Sequence, residues 1–212
     1  MPIHIFFDNS NVWGGAQARM QQIEPNGHWA VLQLDYITLS SLIVGSRQIA
    51  TGIFAASEGS NSNWIYAIAK ACRLEPLVMK RVMDATGKFV EQGVDELLHL
   101  RICTALLDYA PPQTLIIVSG DGDPSDFGTS FPDQARRALE HGWDVEVWSW
   151  ESVLKRSAYE RMPEFGTPRL KIETFDQHYF RLTSLKSGQV FDKDRHGNPI
   201  NGRFISARAA KP

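Results

Sequence analysis

The sequence predicts an α/β protein in which helices cover both faces of a mostly parallel central sheet, giving three α/β/α layers. Two patterns predict this fold. Short apolar runs alternate along the chain with longer segments that have helical periodicity, and the first run stops abruptly at a polar residue, as buried parallel strands do. Strands joined through helices form right-handed βαβ units, so we expect a Rossmann-like sheet with strand order 3-2-1-4-5.

Five strands are predicted from the apolar runs. The first is stopped by Asp8, and the fourth is followed by the glycine-rich sequence Ser119-Gly120-Asp121-Gly122-Asp123, which is a loop by composition. The predicted strands span residues 3–7, 48–55, 77–82, 114–118 and 145–150.

Five helices are predicted between and after these strands. Gly45 is a C-cap for the first of them, and Thr129 or Ser130 begins the fourth. The third has its apolar residues on one face and is closed by Pro111-Pro112. The first, second, fourth and fifth predicted helices span residues 35–44, 64–74, 132–141 and 152–159, and the third begins at residue 94.

The charge is unevenly distributed along the 212 residues. With 22 Lys and Arg against 24 Asp and Glu, the net charge of −2 argues against a histone-like or ribosomal protein. It does not exclude a nucleic-acid enzyme, because a bound metal can supply positive charge. Residues 184–212 carry +4 and residues 1–183 carry −6. We therefore predict a main domain, 1–183, and a basic C-terminal tail, 184–212, in which residues 189–205 can form a hairpin.

The location of the protein is predicted from its cysteines and its apolar segments. Cys72 and Cys103 are too few for a disulfide framework and are interpreted as reduced thiols. The N-terminus lacks a basic region followed by a long apolar one, and the apolar run at residues 31–44 is too short to span a bilayer. We expect a cytoplasmic protein with no membrane partner, and we leave open whether it forms a homodimer.

Three polar groups lie where a parallel sheet places functional residues, at or near the carboxyl ends of strands. Asp8 and Asn11 follow strand 1, Asp121 and Asp123 follow strand 4, and Asp95 opens the helix before strand 4. Converging carboxylates repel one another unless a cation neutralises them. Oxygen ligands without cysteine or paired histidine favour Mg²⁺ or Mn²⁺, which suits phosphodiester hydrolysis.

Each acidic group also has a purely structural interpretation. Asp8 could cap a turn, and Asp95 could be a helix charge that the dipole favours. Asp121 and Asp123 could be ordinary turn residues. His99, one turn after Asp95, is interpreted as a core or surface histidine. The matching positions of the three groups in the topology favour a joint functional role over these separate explanations.

The motifs resemble those of the NYN domain family, a branch of the PIN-like nucleases. The resemblance rests on Phe7-Asp8-Asn9-Ser10-Asn11, on Glu91-Gln92-Gly93-Val94-Asp95 and on Val118-Ser119-Gly120-Asp121-Gly122-Asp123, in that order along residues 3–180. It implies a PIN-like fold and a divalent-metal ribonuclease acting on single-stranded or structured RNA. Asp8, Asp95, Asp121 and Asp123 would be the acidic ligands of Mg²⁺ or Mn²⁺, and Asn11 would orient a ligand, a water or a phosphate.

The sequence departs from the family pattern after the third motif. Pro124 stands where the family often has an aromatic residue, and an insertion at residues 125–130 precedes Phe131, its displaced equivalent. If the insertion moves Asp123 away from the metal, Asp126 would compete with it as the ligand, although Asp126 by itself is interpreted as a solvated loop residue.

Three alternative functions compete with the nuclease, and the sequence lacks a residue that two of them require. One is a non-catalytic RNA- or protein-binding module that uses the basic tail, residues 184–212. A metal-dependent adhesion domain would begin with Asp8 and Ser10, but it needs a hydroxyl where Val12 stands. A phosphatase that forms a phosphoaspartate would need a second aspartate at Ser10.

Overall fold

The computed structural model describes residues 1–58, 63–83, 89–90, 93–124, 128–193 and 198–211. Its strands are β1 (Ile3–Asp8), β2 (Leu32–Leu34), β3 (Ile49–Ser57), β4 (Glu75–Met79), β5 (Val82–Met83), β6 (Phe89–Val90), β7 (Thr114–Val118), β8 (Asp144–Ser149), β9 (Leu170–Thr174), β10 (Thr183–Leu185), β11 (Gly188–Lys193) and β12 (Pro199–Ile205). Its α-helices are α1 (Asn9–Ile23), α2 (Tyr36–Val44), α3 (Asn63–Ala71), α4 (Val94–Asp108), α5 (Phe131–Glu140), α6 (Arg156–Glu160) and α7 (Tyr179–Leu182).

A six-stranded parallel sheet forms the centre of the protein, in the order β4-β3-β1-β7-β8-β9. The predicted three-layer α/β/α architecture is confirmed. The observed strand order differs from the predicted 3-2-1-4-5 because a sixth strand, β9, extends the sheet beside β8. β1 therefore lies between β3 and β7, where both of its edges are paired.

The side chains of β1 alternate between two buried clusters. Ile3, Ile5 and Phe7 pack in the cluster formed with α1, α2 and α3. Phe6 packs in the other cluster, with α4 and α5. Asp8 is extended, with φ −92° and ψ 103°, so strand alternation places it on the face of Phe6.

Helix α1 begins directly after β1, in a segment for which the sequence predicts no helix. Its residues include Gly14, Gly15 and several polar side chains, so a continuous apolar stripe is absent from the pattern. Tertiary packing stabilises it nevertheless, because Val12, Ala16 and Met20 are buried against the sheet.

The C-terminal segment folds against the main domain. β11 and β12 form an antiparallel hairpin, as predicted. Val190 and Ile205 of this hairpin belong to the buried cluster that contains Phe7. β10 pairs with β2. The Arg208 guanidinium makes two hydrogen bonds to the Glu24 carboxylate, of 2.7 and 2.9 Å, and also reaches Thr183.

Within the described residues, no helix is long and apolar enough to cross a membrane. Cys72 is a buried free thiol and Cys103 a partly buried one, as expected for reduced cysteines.

We expect Arg208→Ala to lower the free energy of unfolding by about 2–3 kcal/mol, because the largely buried Glu24 carboxylate loses its cation. The matched control is Arg203→Ala, since the Arg203–Asp192 ion pair is longer, at 3.7 Å, and more exposed. That change should cost less than about 0.5 kcal/mol. Equal losses for the two variants in urea titrations would contradict the role given to Arg208.

Candidate functional site

Asp8 is the most buried carboxylate of the candidate site, with 2% of its surface exposed. Its Oδ1 accepts hydrogen bonds from the Ser10 hydroxyl, at 2.7 Å, and from the Asn11 backbone amide, at 3.2 Å. Its Oδ2 accepts one from the Ser119 hydroxyl, at 3.0 Å. Donors from the first turn of α1 and from the loop after β7 therefore converge on the carboxyl group at the end of β1.

Asn11 connects the first turn of α1 to the loop after β7. Its Oδ1 accepts a 2.7 Å hydrogen bond from the Gly120 backbone amide. The resemblance assigned Asn11 to orienting a ligand, a water or a phosphate, and the structure shows it orienting the loop that carries Asp121. Whether it also contacts a ligand stays a prediction.

Two glycines let this loop pass close to the segment after β8. A Cβ at Gly120 would overlap Ser149 Oγ and the Val153 carbonyl, and a Cβ at Gly122 would lie 2.6 Å from Lys155 Cβ. The Lys155 amide donates to the Gly120 carbonyl at 3.0 Å. Larger residues would push the loop away from β8 and change the position of Asp121.

Asp121 lies close enough to Asp8 for their charges to interact. Burial raises the pKa of the Asp8 carboxyl above its usual value. The three hydrogen bonds oppose this shift, and the charge of Asp121 adds to it. Asp121 is half-buried, and its Oδ1 accepts a hydrogen bond from the Asp123 amide at 2.9 Å.

The structure places Asp123 differently from Asp8 and Asp121. The Asp123 side chain is 71% exposed and forms an ion pair of 3.2 Å with Lys155 Nζ. The Asp123 carboxylate is therefore neutralised at the protein surface, by Lys155. Its role as a metal ligand stays a prediction.

Asp95 lies in the first turn of α4 and is half-buried. Helix α4 covers the sheet face that holds Phe6, and its N-terminus lies at the carboxyl edge of the sheet because it precedes a parallel strand. The topology therefore brings Asp95 to the same edge and the same face as Asp8. Asp126, the alternative to Asp123, and Glu91 and Gln92 of the second motif lie outside the described residues.

Two buried polar atoms near Asp121, the Tyr159 hydroxyl and His99 Nε2, have no hydrogen-bond partner among the residues that the structure describes. The charge of Asp121 influences both residues. His99 Nδ1 lies 2.8 Å from Thr129 Oγ1, so His99 holds the chain where it enters α5. Burial lowers the pKa of His99, while the carboxylates of Glu96, Asp133 and Asp121 oppose that change. The interpretation of His99 as a core residue agrees with this position.

The donor set limits the kind of metal site that the described residues can form. Within the part of the chain that the structure describes, no group of three or more His, Cys, Asp or Glu side chains is arranged to hold a metal ion. Asp8 and Asp121 supply two carboxylates. That number fits Mg²⁺ or Mn²⁺, since Mg²⁺ is usually bound through one or two carboxylates together with waters and substrate phosphates. It does not fit a closed cage of protein ligands.

Some residues of the site were not predicted from the sequence. Ser10 lies two residues after Asp8, a spacing at which its hydroxyl can bond the carboxylate locally, whereas the bond from Ser119 to Asp8 depends on the pairing of β1 with β7. Lys155 had no local signal, because its contact with Asp123 depends on the position of the loop after β8.

No protein-family model and no curated protein matches the chain. A crystal structure of a protein of unknown function from Vibrio parahaemolyticus RIMD 2210633 is similar, with 14% identity and a TM-score of 0.57. The match covers 81% of this chain and 91% of that one. At this identity the likeness extends to the fold alone.

Two aminotransferase structures are more distantly similar. One is a PLP-bound protein described as an aminotransferase, from Clostridium difficile 630, with 10% identity and a TM-score of 0.31. The other is AspB from Helicobacter pylori 26695, with 10% identity and a TM-score of 0.29. This chain spans 47% and 48% of their lengths. TM-scores this low support no inference about this chain.

We expect the metal-free Asp8→Asn variant to gain stability relative to the wild type as pH rises from the ordinary aspartate pKa of 3.8 to the raised pKa of buried Asp8. In that range the unfolded wild type has lost the Asp8 proton while the folded protein still holds it. Each rise in pH therefore favours unfolding of the wild type, whereas asparagine does not titrate. Above the raised pKa the difference between the two proteins should stay constant.

The measurement is the free energy of unfolding of both proteins across this pH range with a chelator present. The raised pKa of Asp8 would be contradicted if the two free energies of unfolding differ by the same amount at every pH, or if the wild type gains stability relative to Asp8→Asn as pH rises.

Proposed function

We propose that this protein is a Mg²⁺- or Mn²⁺-dependent endoribonuclease with a PIN-like active site at the carboxyl edge of its sheet. The observation that carries the proposal is the buried Asp8 carboxylate at the end of the central strand, with the charge of Asp121 close by. The motif resemblance to the NYN domain family supports the same assignment. A cytoplasmic location is part of the proposal and agrees with the two free thiols, Cys72 and Cys103.

Helix capping alone does not explain the burial of Asp8. Asp8 caps α1 by accepting a hydrogen bond from the Asn11 amide, and Asp35 caps α2 in the same way, through the Thr38 amide at 3.0 Å. Asp35 is exposed, whereas Asp8 is buried. Capping therefore requires no burial, and the burial of Asp8 costs free energy that a cation between Asp8 and Asp121 would offset.

The proposed roles follow from these positions. Asp8 and Asp121 would hold the metal, and Asp95 and Asp123 would complete the acidic set and orient the attacking water. Asn11 holds Gly120, and through it the loop that carries Asp121. When bound, a divalent cation lowers the pKa of water and stabilises negative charge on a phosphate and on the leaving oxygen. Its charge would also let an RNA strand approach a domain with a net charge of −6.

The alternative function is a non-catalytic RNA- or protein-binding module, with the basic tail as its contact surface. The tail's cations are partly occupied within the protein. Arg208 pairs with Glu24, Arg203 pairs with Asp192, and Lys211 Nζ lies 4.9 Å from the centre of the Phe180 ring. Because Glu24 lies outside the tail, its pairing with Arg208 lowers the tail's effective charge below the formal +4, which already counts Asp192.

We expect Asp8→Asn and Asp121→Asn each to reduce the cleavage rate of a labelled RNA with Mn²⁺ by about 100-fold or more. Loss of a metal-holding charge removes several kcal/mol of transition-state stabilisation. The control is Asp108→Asn, because Asp108 is exposed at the opposite end of α4 from Asp95.

The three variants and the wild type are compared under one set of conditions, with EDTA as a further control. Equal cleavage by all four proteins would overturn the site assignment. RNA binding without cleavage by the wild type, unaffected by EDTA and lost on removal of residues 184–212, would favour the non-catalytic module.

A further inference from the structure

Trp64 presents an exposed side chain at the carboxyl edge of the sheet, the edge at which Asp8 lies. It lies in the first turn of α3, which follows β3, so the topology places it at the carboxyl edge of the sheet. It is 44% exposed although it is a large apolar residue. Its ring centroid lies 6.3 Å from that of Tyr36, with an interplanar angle of 37°.

Tyr36 connects Trp64 to the strand end that carries Asp8. The Tyr36 hydroxyl donates a 2.6 Å hydrogen bond to Asn9 Oδ1, and Asn9 directly follows Asp8. The Tyr36 ring also packs against Phe7 and Phe54, at centroid distances of 6.2 and 5.6 Å. Because Tyr36 is buried and held on three sides, it gives Trp64 a fixed neighbour near the candidate site.

An exposed cation lies at the same edge of the sheet. Arg81 Nε donates a 3.1 Å hydrogen bond to Ser57 Oγ at the end of β3. Ser57 is two residues beyond Ala55, which pairs with Asp8. Strand rise and spacing therefore place the Cα atoms of Ser57 and Asp8 about 8 Å apart.

We propose that Trp64 stacks on an unpaired nucleobase of the RNA, while Arg81 contacts a phosphate of the same strand next to the metal site. This inference rests on the proposed function and specifies the form of the substrate at that site. An exposed aromatic face and a neighbouring cation are the two contacts by which proteins hold single strands without reading sequence. A duplex keeps its bases stacked on one another, so the Trp64 face favours single-stranded RNA.

The test measures binding of a short fluorescein-labelled single-stranded RNA by anisotropy, with Ca²⁺ in place of Mn²⁺ and a gel to check that the RNA stays intact. Trp64→Ala should raise Kd about fivefold or more, and Trp64→Phe, which keeps a ring, should raise it less. The matched control is Trp29→Ala, since Trp29 is 52% exposed and lies in the turn before β2. That variant should bind as the wild type does.

Arg81→Gln should weaken binding and lower the slope of log K against log salt by about 0.7, as expected for one lost phosphate contact on a single strand. Trp64→Ala should leave that slope unchanged, because stacking releases no counterions. Duplex RNA of the same sequence should bind more weakly than the single strand, and Trp64→Ala should affect its binding less.

Binding by Trp64→Ala within twofold of the wild type would overturn the inference, as would equal losses for Trp64→Ala and Trp29→Ala or equal binding of duplex and single strand. If the wild type still cleaves RNA in that case, the proposed function stands and the inference alone fails. If the wild type neither binds nor cleaves RNA, both fail.

Discussion

The buried carboxyl group of Asp8 is the constraint on which the candidate site depends. β1 is paired on both edges, so its last residue emerges in the middle of the sheet rather than at its rim. A carboxylate at that position loses much of its hydration, and the protein compensates with donors from Ser10, Asn11 and Ser119. These donors fix both the start of α1 and the loop after β7.

The same constraint determines the position of the second carboxylate. Ser119 bonds to Asp8, Asn11 bonds to Gly120, and Asp121 follows directly in the chain. Because Gly122 has no side chain, the loop can approach Lys155, which pairs with Asp123 at the surface. Asp121 therefore stays beside Asp8 while Asp123 is held by a lysine. The two aspartates of one motif have distinct surroundings although they are two residues apart.

The sequence predicted most of the central sheet because buried strands and one-faced helices have clear periodicities. β9 was not predicted, since Leu170–Thr174 is a short edge strand in which apolar and charged residues alternate. α1 was not predicted because its glycines and polar residues give no continuous stripe. In both cases tertiary contacts stabilise an element that has weak local preferences.

The motifs predicted which side chains meet at the sheet edge better than they predicted what each one does. Asp8 and Asp121 are neighbours, as the topology of strands 1 and 4 predicted. The pairing of Asp123 with Lys155 depends on how closely a loop passes a distant segment, which residue spacing does not encode. The roles of Asp95 and of the metal itself stay predictions.

Anomalous diffraction from crystals grown with Mn²⁺ tests the central claim most directly. The account predicts an anomalous peak at ordinary metal–oxygen distance, about 2.0–2.2 Å, from carboxylate oxygens of both Asp8 and Asp121, and no peak there in Asp8→Asn. A structure in excess Mn²⁺ would contradict the account if Asp8 keeps its hydrogen bonds to Ser10 and Ser119 and no anomalous peak lies beside it.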